Sequence, residues 1–331
     1  MIRSRGQLIL LFGALFLLAL ACISLSLVSG SIDIGFSQLI KIFLGEDKGM
    51  QARIIMELRL PRVLSGFIVG GLLSLAGALM QVLLKNPLAE PYVLGVSGGA
   101  SVFALLAMVA GVAGLWLNLA AFSGALLSIA MVFGLARLGG SWSPLTVLLT
   151  GIVVAAGWGA VVSFLLAVSP AAQIHGMLFW LMGDLEYSSN LTVAASVLIS
   201  GFIITMAMAR NLNLMARGEQ QAAALGVAII KHRYSVYFLA SMLTATAVMQ
   251  AGNIGFIGLI VPHLVRLLIG SDHRLLLPVS LLLGGSLLVI ADALARIIIS
   301  PQQLPVGVLT AMIGVPLFLF LLHKSKLRSL Q

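Results

Sequence analysis

Charged side chains are scarce in this sequence: they make up 9% of its 331 residues, while hydrophobic residues make up 60%. Soluble domains carry about a quarter charged residues because they need a polar surface. The scarcity of charge therefore excludes an ordinary soluble fold. A helical protein embedded in a membrane is the class that remains.

Cysteine and catalytic motifs are also missing. Cys22 is the single cysteine, so an internal disulfide is excluded. The sequence has no G-x-x-x-x-G-K-[ST] nucleotide loop, no S-x-x-K or G-x-S-x-G nucleophile motif, and no cysteine–histidine cluster with metal-ligand spacing. We therefore predict that the chain is not an enzyme and binds no metal or cofactor of its own.

Apolar runs near the length that crosses a bilayer recur from end to end. They predict an all-α polytopic membrane protein with ten transmembrane helices, forming one transmembrane domain over 1–331. The predicted spans are 7–29, 63–83, 93–111, 115–136, 145–168, 191–209, 234–251, 254–270, 277–297 and 305–323. Ten spans place both termini on the same side of the membrane.

The basic residues indicate the orientation. With the N-terminus in the cytoplasm, most of the 19 basic residues fall in the inner ends and loops, as the positive-inside rule requires. We predict a multi-pass protein with both termini cytoplasmic. The net charge of +9 then reflects topology and contact with phospholipid, not nucleic-acid binding.

One stretch interrupts the apolar pattern between the second and third spans, and it reads LKNPLAEPYVLGVSGGA, 84–100. Pro87 and Pro91 disfavour helix at the residues before them, and the glycines permit tight turns. Irregular backbone survives at membrane depth only where protein or a water-filled cavity covers it. Composition leaves two readings open, a constriction in a central pathway and a plain turn between helices.

The inner loop 211–233 contains QQAAALGV, in which good helix formers precede Gly226, a natural helix stop. A short helix on the cytoplasmic face is predicted. Its two readings are a docking element and a solvated linker, and the apolar run AAALGVAII favours docking to a partner.

The predicted outer side carries few arginines, and three of them, Arg59, Arg62 and Arg296, flank predicted spans. Arginine binds carboxylates in a bidentate manner, so these residues either receive acids of an extracytoplasmic partner or cap helices and anchor the interface. Asp292 precedes Arg296 by four residues and is expected to pair with it. Acids lie at the ends of the predicted spans and not at their centres, so the energy for any transport is expected to come from a partner.

Four blocks in order resemble the iron-chelate and vitamin B12 family of ABC importer permeases, from about residue 57 to the C-terminus. They are LRLPRVLSGFIVGGLLSLAGALMQ, NPLAEPYVLGVSGGA, GFIGLIVPHLVRLLIGSDHRLLLP, and ADALARIII followed by LPVGVLTAMIGVPLFLFLL. The resemblance implies the type II ABC importer permease fold, with spans two to five and seven to ten related by an inverted repeat.

The same resemblance implies a function. The chain would be the permease subunit that moves a metal chelate, namely ferric siderophore, haem or cobalamin, from periplasm to cytoplasm by alternating access. Its implied partners are a second permease copy in a homodimer, ATPase subunits that hold ATP and Mg, and a periplasmic binding protein, in a bacterial inner membrane. A stand-alone secondary transporter or channel is the alternative.

The resemblance also assigns roles to residues at matching positions. The implied cytoplasmic gate consists of Asn86, Leu88, Ser141, Ser143 and Pro144. The implied ATPase coupling residues are Ala222, Leu225 and Gly226. Arg59, Arg62 and Arg296 fall where the family meets glutamates of the binding protein.

Overall fold

The computed structural model describes residues 5–30, 34–138, 143–185, 191–299 and 302–329, and regular structure in these residues is entirely helical. The α-helices, in chain order, are α1 (Arg5–Val28), α2 (Phe36–Phe43), α3 (Met50–Arg53), α4 (Leu60–Leu83), α5 (Val96–Val109), α6 (Leu115–Leu138), α7 (Pro144–Val168), α8 (Ala171–Met182), α9 (Leu191–Arg217), α10 (Glu219–Ala224), α11 (Ile229–Ala251), α12 (Ile257–Ile269), α13 (His273–Ile297) and α14 (Val306–Ser329). A π-helical stretch, Ile54–Arg59, joins α3 to α4, and a 3₁₀ turn, Pro91–Leu94, precedes α5. The predicted all-α fold is confirmed.

Ten of these helices coincide with the ten predicted spans: α1, α4 to α7, α9 and α11 to α14. Six helical stretches are long and apolar enough to cross a membrane by length and composition, namely Gly6–Val28, Met50–Leu83, Leu115–Arg137, Leu145–Val168, Leu191–Arg217 and His273–Ile297. The apolar helices α5, α12 and Val306–Leu321 of α14 are shorter. The spans are therefore of two kinds, full-length helices and short ones that need irregular chain to complete the crossing.

Four further helices, α2, α3, α8 and α10, lie in the stretches between predicted spans. Of these, the sequence predicted only α10. α2 buries Leu39 and Ile42, and α8 buries Met177 and Trp180. Because each of these segments is short, its apolar residues do not form a run of bilayer length. The pattern that predicts membrane spans therefore does not mark them.

Helix α4 forms the centre of the bundle. In the most apolar window of Met50–Leu83, 83% of the residues are buried, against 11% for α1 and 17% for α7. α4 packs against α9, α11, α12 and α13. A Cβ added to Gly77 would overlap the carbonyl oxygen of Gly258 in α12. Small residues let helix backbones approach closely in lipid, so this glycine sets the distance between α4 and α12.

Helices α1, α7 and α9 lie at the outside of the subunit and expose much of their apolar surface. Phe16, Val153 and Ile203 are among their exposed side chains. Such a surface is costly in water and is the normal exterior of a helix in lipid.

Candidate functional site

The predicted gate segment starts as a tight turn where α4 ends. Asn86 is exposed, and its Oδ1 accepts a hydrogen bond from the Leu88 amide at 2.9 Å. The Ala89 amide donates to the Asn86 carbonyl at 3.1 Å. An asparagine that binds the backbone two residues on stabilises a turn in this way. The plain-turn reading therefore describes residues 86–89.

The second half of the segment enters the protein. Val93, in the 3₁₀ turn, lies against Gly151, where a Cβ would overlap the Val93 carbonyl oxygen. Since Gly151 is seven residues into α7, which starts at Pro144, Val93 lies about 10 Å along that helix from its inner end. Irregular backbone thus runs at membrane depth and is covered by protein, which is the condition that a constriction requires.

Side chains of α6 and α7 hold the end of the buried turn. Gly95 adopts a left-handed conformation, with φ 69°, and α5 begins immediately after it. The Ser128 hydroxyl donates to the Gly95 carbonyl at 2.7 Å, and the Trp158 indole N–H donates to that hydroxyl at 2.9 Å. The predicted span 93–111 therefore starts as a turn, and its helix begins at Val96.

A second break, residues 252–256, separates α11 from α12. Gly252 and Phe256 are both left-handed, with φ 66° and φ 70°. A left-handed conformation costs a residue with a side chain about 1–2 kcal/mol, so Phe256 needs support from its surroundings. Because Gly258 abuts Gly77, six residues before the end of α4, α12 begins about 9 Å inside the inner end of α4.

Glu90 joins the two breaks. Its Oε1 accepts a hydrogen bond from the Phe256 amide at 2.8 Å. Phe256 is the residue that caps α12, so the carboxylate satisfies one of the amides that a helix start leaves without a partner. The sequence placed Glu90 in an inner loop, whereas the structure places its carboxylate against the second break.

The groups α4–α7 and α11–α14 each contain a long buried helix, a break and a short helix, as the predicted repeat requires.

The second predicted gate element precedes α7. Ser143 caps this helix: its Oγ accepts from the Thr146 amide at 3.1 Å, and Pro144 occupies the first helical position. Serine at the cap and proline at the next position are a favourable start for a helix. Ser141 lies outside the described residues. Within the described part of the chain, no hydrogen bond joins Asn86 to Ser143.

The predicted cytoplasmic helix is α10. Gly226, with φ 83°, ends it: the Gly226 amide donates to Ala223 at 2.9 Å, and the Val227 amide donates to Ala222 at 3.0 Å. These two bonds form a Schellman motif, which uses glycine at this position. Ala222 is fully buried, and Leu225 is 67% exposed. The helix thus holds one apolar face against the bundle and presents Leu225 outward, and the predicted stop at Gly226 is correct.

An ionic cluster anchors the start of α10. Arg233 donates to both oxygens of Glu219 at 2.7 Å, and the Lys85 ammonium lies 3.5 Å from one of them. Partial burial disfavours the charged carboxylate, but the Arg233 hydrogen bond and the two positive charges outweigh it and lower the pKa of Glu219. Sequence reasoning missed this cluster because its members belong to three separate segments.

A polar cavity of about 1080 Å³ opens beside α10, between the inner ends of α4, α9, α12 and α13. Arg266 on its wall donates to Gln81 at 2.9 Å. Asp272 caps α13 and accepts from Asn213 at 2.7 Å. Partial burial opposes ionisation of Asp272, but hydrogen bonds from the Arg274 amide and Asn213 lower its pKa.

The outer arginines point into the protein. Arg59 donates to the carbonyls of Leu27 and Val28 at 2.8 and 2.9 Å, and Arg296 donates to the carbonyls of Ser26 and Ser29 at 3.2 and 3.3 Å. These are the last carbonyls of α1, which lack partners within the helix. The arrangement fits the reading of helix capping and interface anchoring.

Arg62 and Asp292 complete this outer cluster. Arg62 lies 2.9 Å from Asp292 and 3.3 Å from Asp184, and Arg296 lies 3.1 Å from Asp292. The predicted Asp292–Arg296 pair is therefore present. Arg62 is also the most accessible of the three arginines, with its side chain 12% exposed. The docking role of the arginines stays a prediction.

The side chains predicted to be functional therefore lie in three places: the cluster of ion pairs around Asp292, the two backbone breaks joined by Glu90, and the short helix α10, which is tied to the end of α4. The described residues contain no group of three or more His, Cys, Asp or Glu side chains that could hold a metal ion.

Comparison with known proteins identifies this arrangement. The model of the FecCD transport family matches residues 16–324. The chain belongs to the FecCD transport family. FecCD proteins are permease subunits of ABC importers, in which a separate subunit hydrolyses ATP, and this explains the absence of a nucleotide loop here.

Individual FecCD relatives agree with this assignment. The chain is 42% identical to the cobalamin import system permease BtuC of Halobacterium salinarum over 84% of this chain and 75% of that protein. It is 39% identical to the Fe(3+) dicitrate permease FecD of Escherichia coli, over 82% and 86%. It is also 39% identical to the hemin permease HmuU of Yersinia pestis, over 82% and 84%.

The fold agrees as well. A solved ABC transporter assigned to the metal-chelate type, in an inward-facing conformation, superposes with a TM-score of 0.85 at 33% identity, over 95% of this chain and 99% of that one. The predicted family and the type II importer fold are confirmed. The chain is a multi-pass membrane protein of the FecCD type.

Proposed function

We propose that this chain carries a bulky metal chelate, such as a ferric siderophore, haem or cobalamin, through the membrane by alternating access, with energy from separate ATPase subunits. The cargo class follows from relatives named for cobalamin, ferric dicitrate and hemin. These cargoes share a metal held in a large organic ligand. An apolar pathway suits them, because tight binding to its walls would slow their release.

The observation that carries this proposal is α10. A helix of six residues, anchored at Glu219 and ended at Gly226, presents Leu225 to the cytoplasm. Beside it lies a shallow depression of about 750 Å³, lined by apolar residues that include Ile229 and Ile230. A solvated linker needs no apolar surface of this kind, whereas an ATPase subunit that drives the permease needs a surface to bind, and α10 with its depression offers one. We propose Ala222, Leu225 and Gly226 as the coupling residues.

The alternative, a stand-alone secondary transporter or channel, has less support. Such a transporter uses ionisable groups at mid-membrane to couple ions to transport. Glu90 is an acid at depth, but its carboxylate already accepts the Phe256 amide. One occupied carboxylate is a weak basis for an ion relay, and α10 would have no role.

The gate is proposed at the two segments where the chain leaves regular helix at the cytoplasmic side. Asn86 and Leu88 form one half, and Ser141, Ser143 and Pro144 form the other. The turn at 86–89 and the buried turn at 91–94 support this, because a segment without a helical hydrogen-bond ladder can change shape at lower cost than a helix.

The assembly is proposed to contain two permease copies, two ATPase subunits inside and a binding protein outside, with both termini of this chain cytoplasmic. Most of the basic residues lie in the predicted inner loops, and this distribution supports the orientation. The outer cluster of Arg59, Arg62 and Arg296 is proposed to form part of the face that receives the binding protein.

The first test is reconstitution of the chain with the proteins that co-purify in mild detergent. We expect recovery of an ATPase and ATP-dependent uptake of at least one chelate when a ferric siderophore, hemin and cobalamin are offered in turn to vesicles. Uptake of a chelate by the chain alone, without ATP, would establish the stand-alone transporter instead.

The second test is Gly226→Arg. A Cβ at Gly226 meets nothing within 4 Å, although φ 83° strains any side chain there by about 1–2 kcal/mol. An arginine therefore projects into the proposed docking surface and is expected to abolish substrate-stimulated ATP hydrolysis while the protein still inserts. Gly226→Asn is the matched control, because asparagine tolerates the left-handed conformation and is small. Normal stimulation in the assembled arginine variant would contradict a coupling role for α10.

A further inference from the structure

The end of α4 is tied to the start of α10 by the ionic cluster of Lys85, Glu219 and Arg233. Lys85 is the second residue after the end of α4, directly after the cap residue Leu84, and it precedes Asn86 of the proposed gate. Glu219 is the first residue of α10, and Arg233 lies in the second turn of α11. The cluster thus touches the gate segment, the coupling helix and the bundle.

The two contacts of Glu219 differ in strength. Arg233 binds both carboxylate oxygens at 2.7 Å, and the two side chains are 15% and 23% exposed. Both contacts come from the same nitrogen, Nη2, and a hydrogen bond between two charged groups is stronger than one between neutral groups. Lys85 lies at 3.5 Å and is 47% exposed, and exposed pairs of this kind contribute little. The Arg233 contact therefore fixes Glu219, while the Lys85 contact breaks and re-forms easily.

Lys85 is connected to the proposed gate segment directly through the backbone. Lys85 is left-handed, with φ 48°, and its amide donates to the Val82 carbonyl at 3.2 Å. Asn86 follows at once and accepts the Leu88 amide. A change at Lys85 therefore changes the direction in which residues 86–88 leave α4, without any intervening flexible linker.

A glycine forms the joint between α9 and α10. Gly218, with φ 135°, separates α9 from α10, and a Cβ there meets nothing within 4 Å. Few other residues adopt that conformation. Glu219 is ionised at neutral pH, since its pKa is lowered. A shift of α10 that keeps the Arg233 contact therefore changes the distance between the charged Glu219 carboxylate and the Lys85 ammonium.

We propose that Glu219 is a positioning residue that transmits movement of α10 to the gate segment through Lys85, with Arg233 as its fixed anchor. The proposal rests on the proposed function, since it assigns a route between the ATPase surface and the gate. Its distinguishing property is an ion pair that is made in one transport state and broken in another.

The test uses the complete complex in vesicles and compares Lys85→Glu with Arg210→Glu. Arg210 is an exposed cation on α9, and the described residues give it no ion pair. Lys85→Glu is expected to lower the ratio of chelate transported to ATP hydrolysed by up to about fivefold, which corresponds to the loss of an exposed ion pair. ATPase docking is expected to be unchanged, and Lys85→Arg is expected to retain the wild-type ratio.

A second variant separates the ionic link from a merely structural role. Glu219→Gln removes the charge that contacts both Lys85 and Arg233 and is expected to lower the same ratio. The double variant Lys85→Gln with Glu219→Gln is expected to lower it no further than Glu219→Gln alone, because Lys85 then has no carboxylate left to pair with. Additive losses, or a Lys85→Glu ratio equal to that of Arg210→Glu, would overturn the link while ATP-driven uptake by the wild type still supports the proposed function. Absence of ATP-driven uptake in the wild type would overturn both.

Discussion

The two ends of this permease use ion pairs in opposite ways. At the outer end, Asp292 is 1% exposed and lies between Arg62 and Arg296. At the inner end, Glu219 is 23% exposed and lies between Arg233 and Lys85. In each cluster a carboxylate lies between two cations, and Asp184 also contacts Arg62 in the outer one. The outer carboxylate Asp292 is buried, whereas Glu219 is partly open to water.

This difference separates fixed structure from movable structure. Burial makes loss of a partner costly, because the remaining charge has no water to stabilise it. Exposure makes the loss cheap, because water replaces the partner. The outer cluster also holds the last turn of α1 through Arg59 and Arg296, and α1 has few buried residues of its own to secure it. We infer that the outer ion-pair cluster is a fixed part of the fold, whereas the inner cluster is able to rearrange during transport.

The largest effect is expected from Asp292→Asn, which leaves two buried guanidinium groups without their shared carboxylate charge. A broken buried pair costs about 3–5 kcal/mol, and we expect a loss of this size in the free energy of unfolding, measured with denaturant in detergent. Glu57→Gln, at an exposed position of the π-helical stretch, is the matched control. A loss no greater than that of the control would contradict the view of the outer end as a fixed frame.

A smaller effect is expected from Gly77→Ala, between the two clusters. Its Cβ would overlap the Gly258 carbonyl oxygen, so α12 must move away from α4. Overpacking of this kind typically costs about 1–3 kcal/mol. Gly134→Ala in α6 is the control, because a Cβ there meets nothing within 4 Å. Equal stability of the two variants, by thermal unfolding in detergent, would show that the α4–α12 distance is not set by glycine.

The ten spans were predictable because apolar runs of bilayer length mark them. The starts of α5 and α12 were placed three residues early. The apolar residues Val93, Leu94 and Ile254 read as helix, and composition does not distinguish a 3₁₀ turn or an extended break from a helical turn. α2, α3 and α8 were missed because short helices that pack on a bundle leave no long apolar run.

The candidate site was predictable where its chemistry is local. Gly226 as a helix stop and Asp292–Arg296 as a pair four residues apart follow from helix geometry. The contact between Arg62 and Asp292 joins residues 230 positions apart, and the contact between Lys85 and Glu219 also joins distant segments. No pattern in a single sequence specifies such contacts, because they depend on how the helices pack.

The smallest effect is expected on the affinity for the binding protein, in Arg62→Gln, a change that also breaks the buried contacts of Arg62 with Asp292 and Asp184. If the cluster also forms part of the binding-protein face, removal of this charge weakens the affinity for that protein by less than about fivefold, the effect of about 1 kcal/mol or less. Salt screens charges at a rim, so the loss is expected to be greatest at low ionic strength. Binding of that protein to surface-immobilised permease at increasing salt concentrations would measure the loss of affinity.

Arg53→Gln, which removes an exposed charge on α3 outside the cluster, separates a local effect from a general loss of positive charge. An unchanged affinity at every salt concentration would show that the cluster acts only as the clamp between α1, α4 and α13.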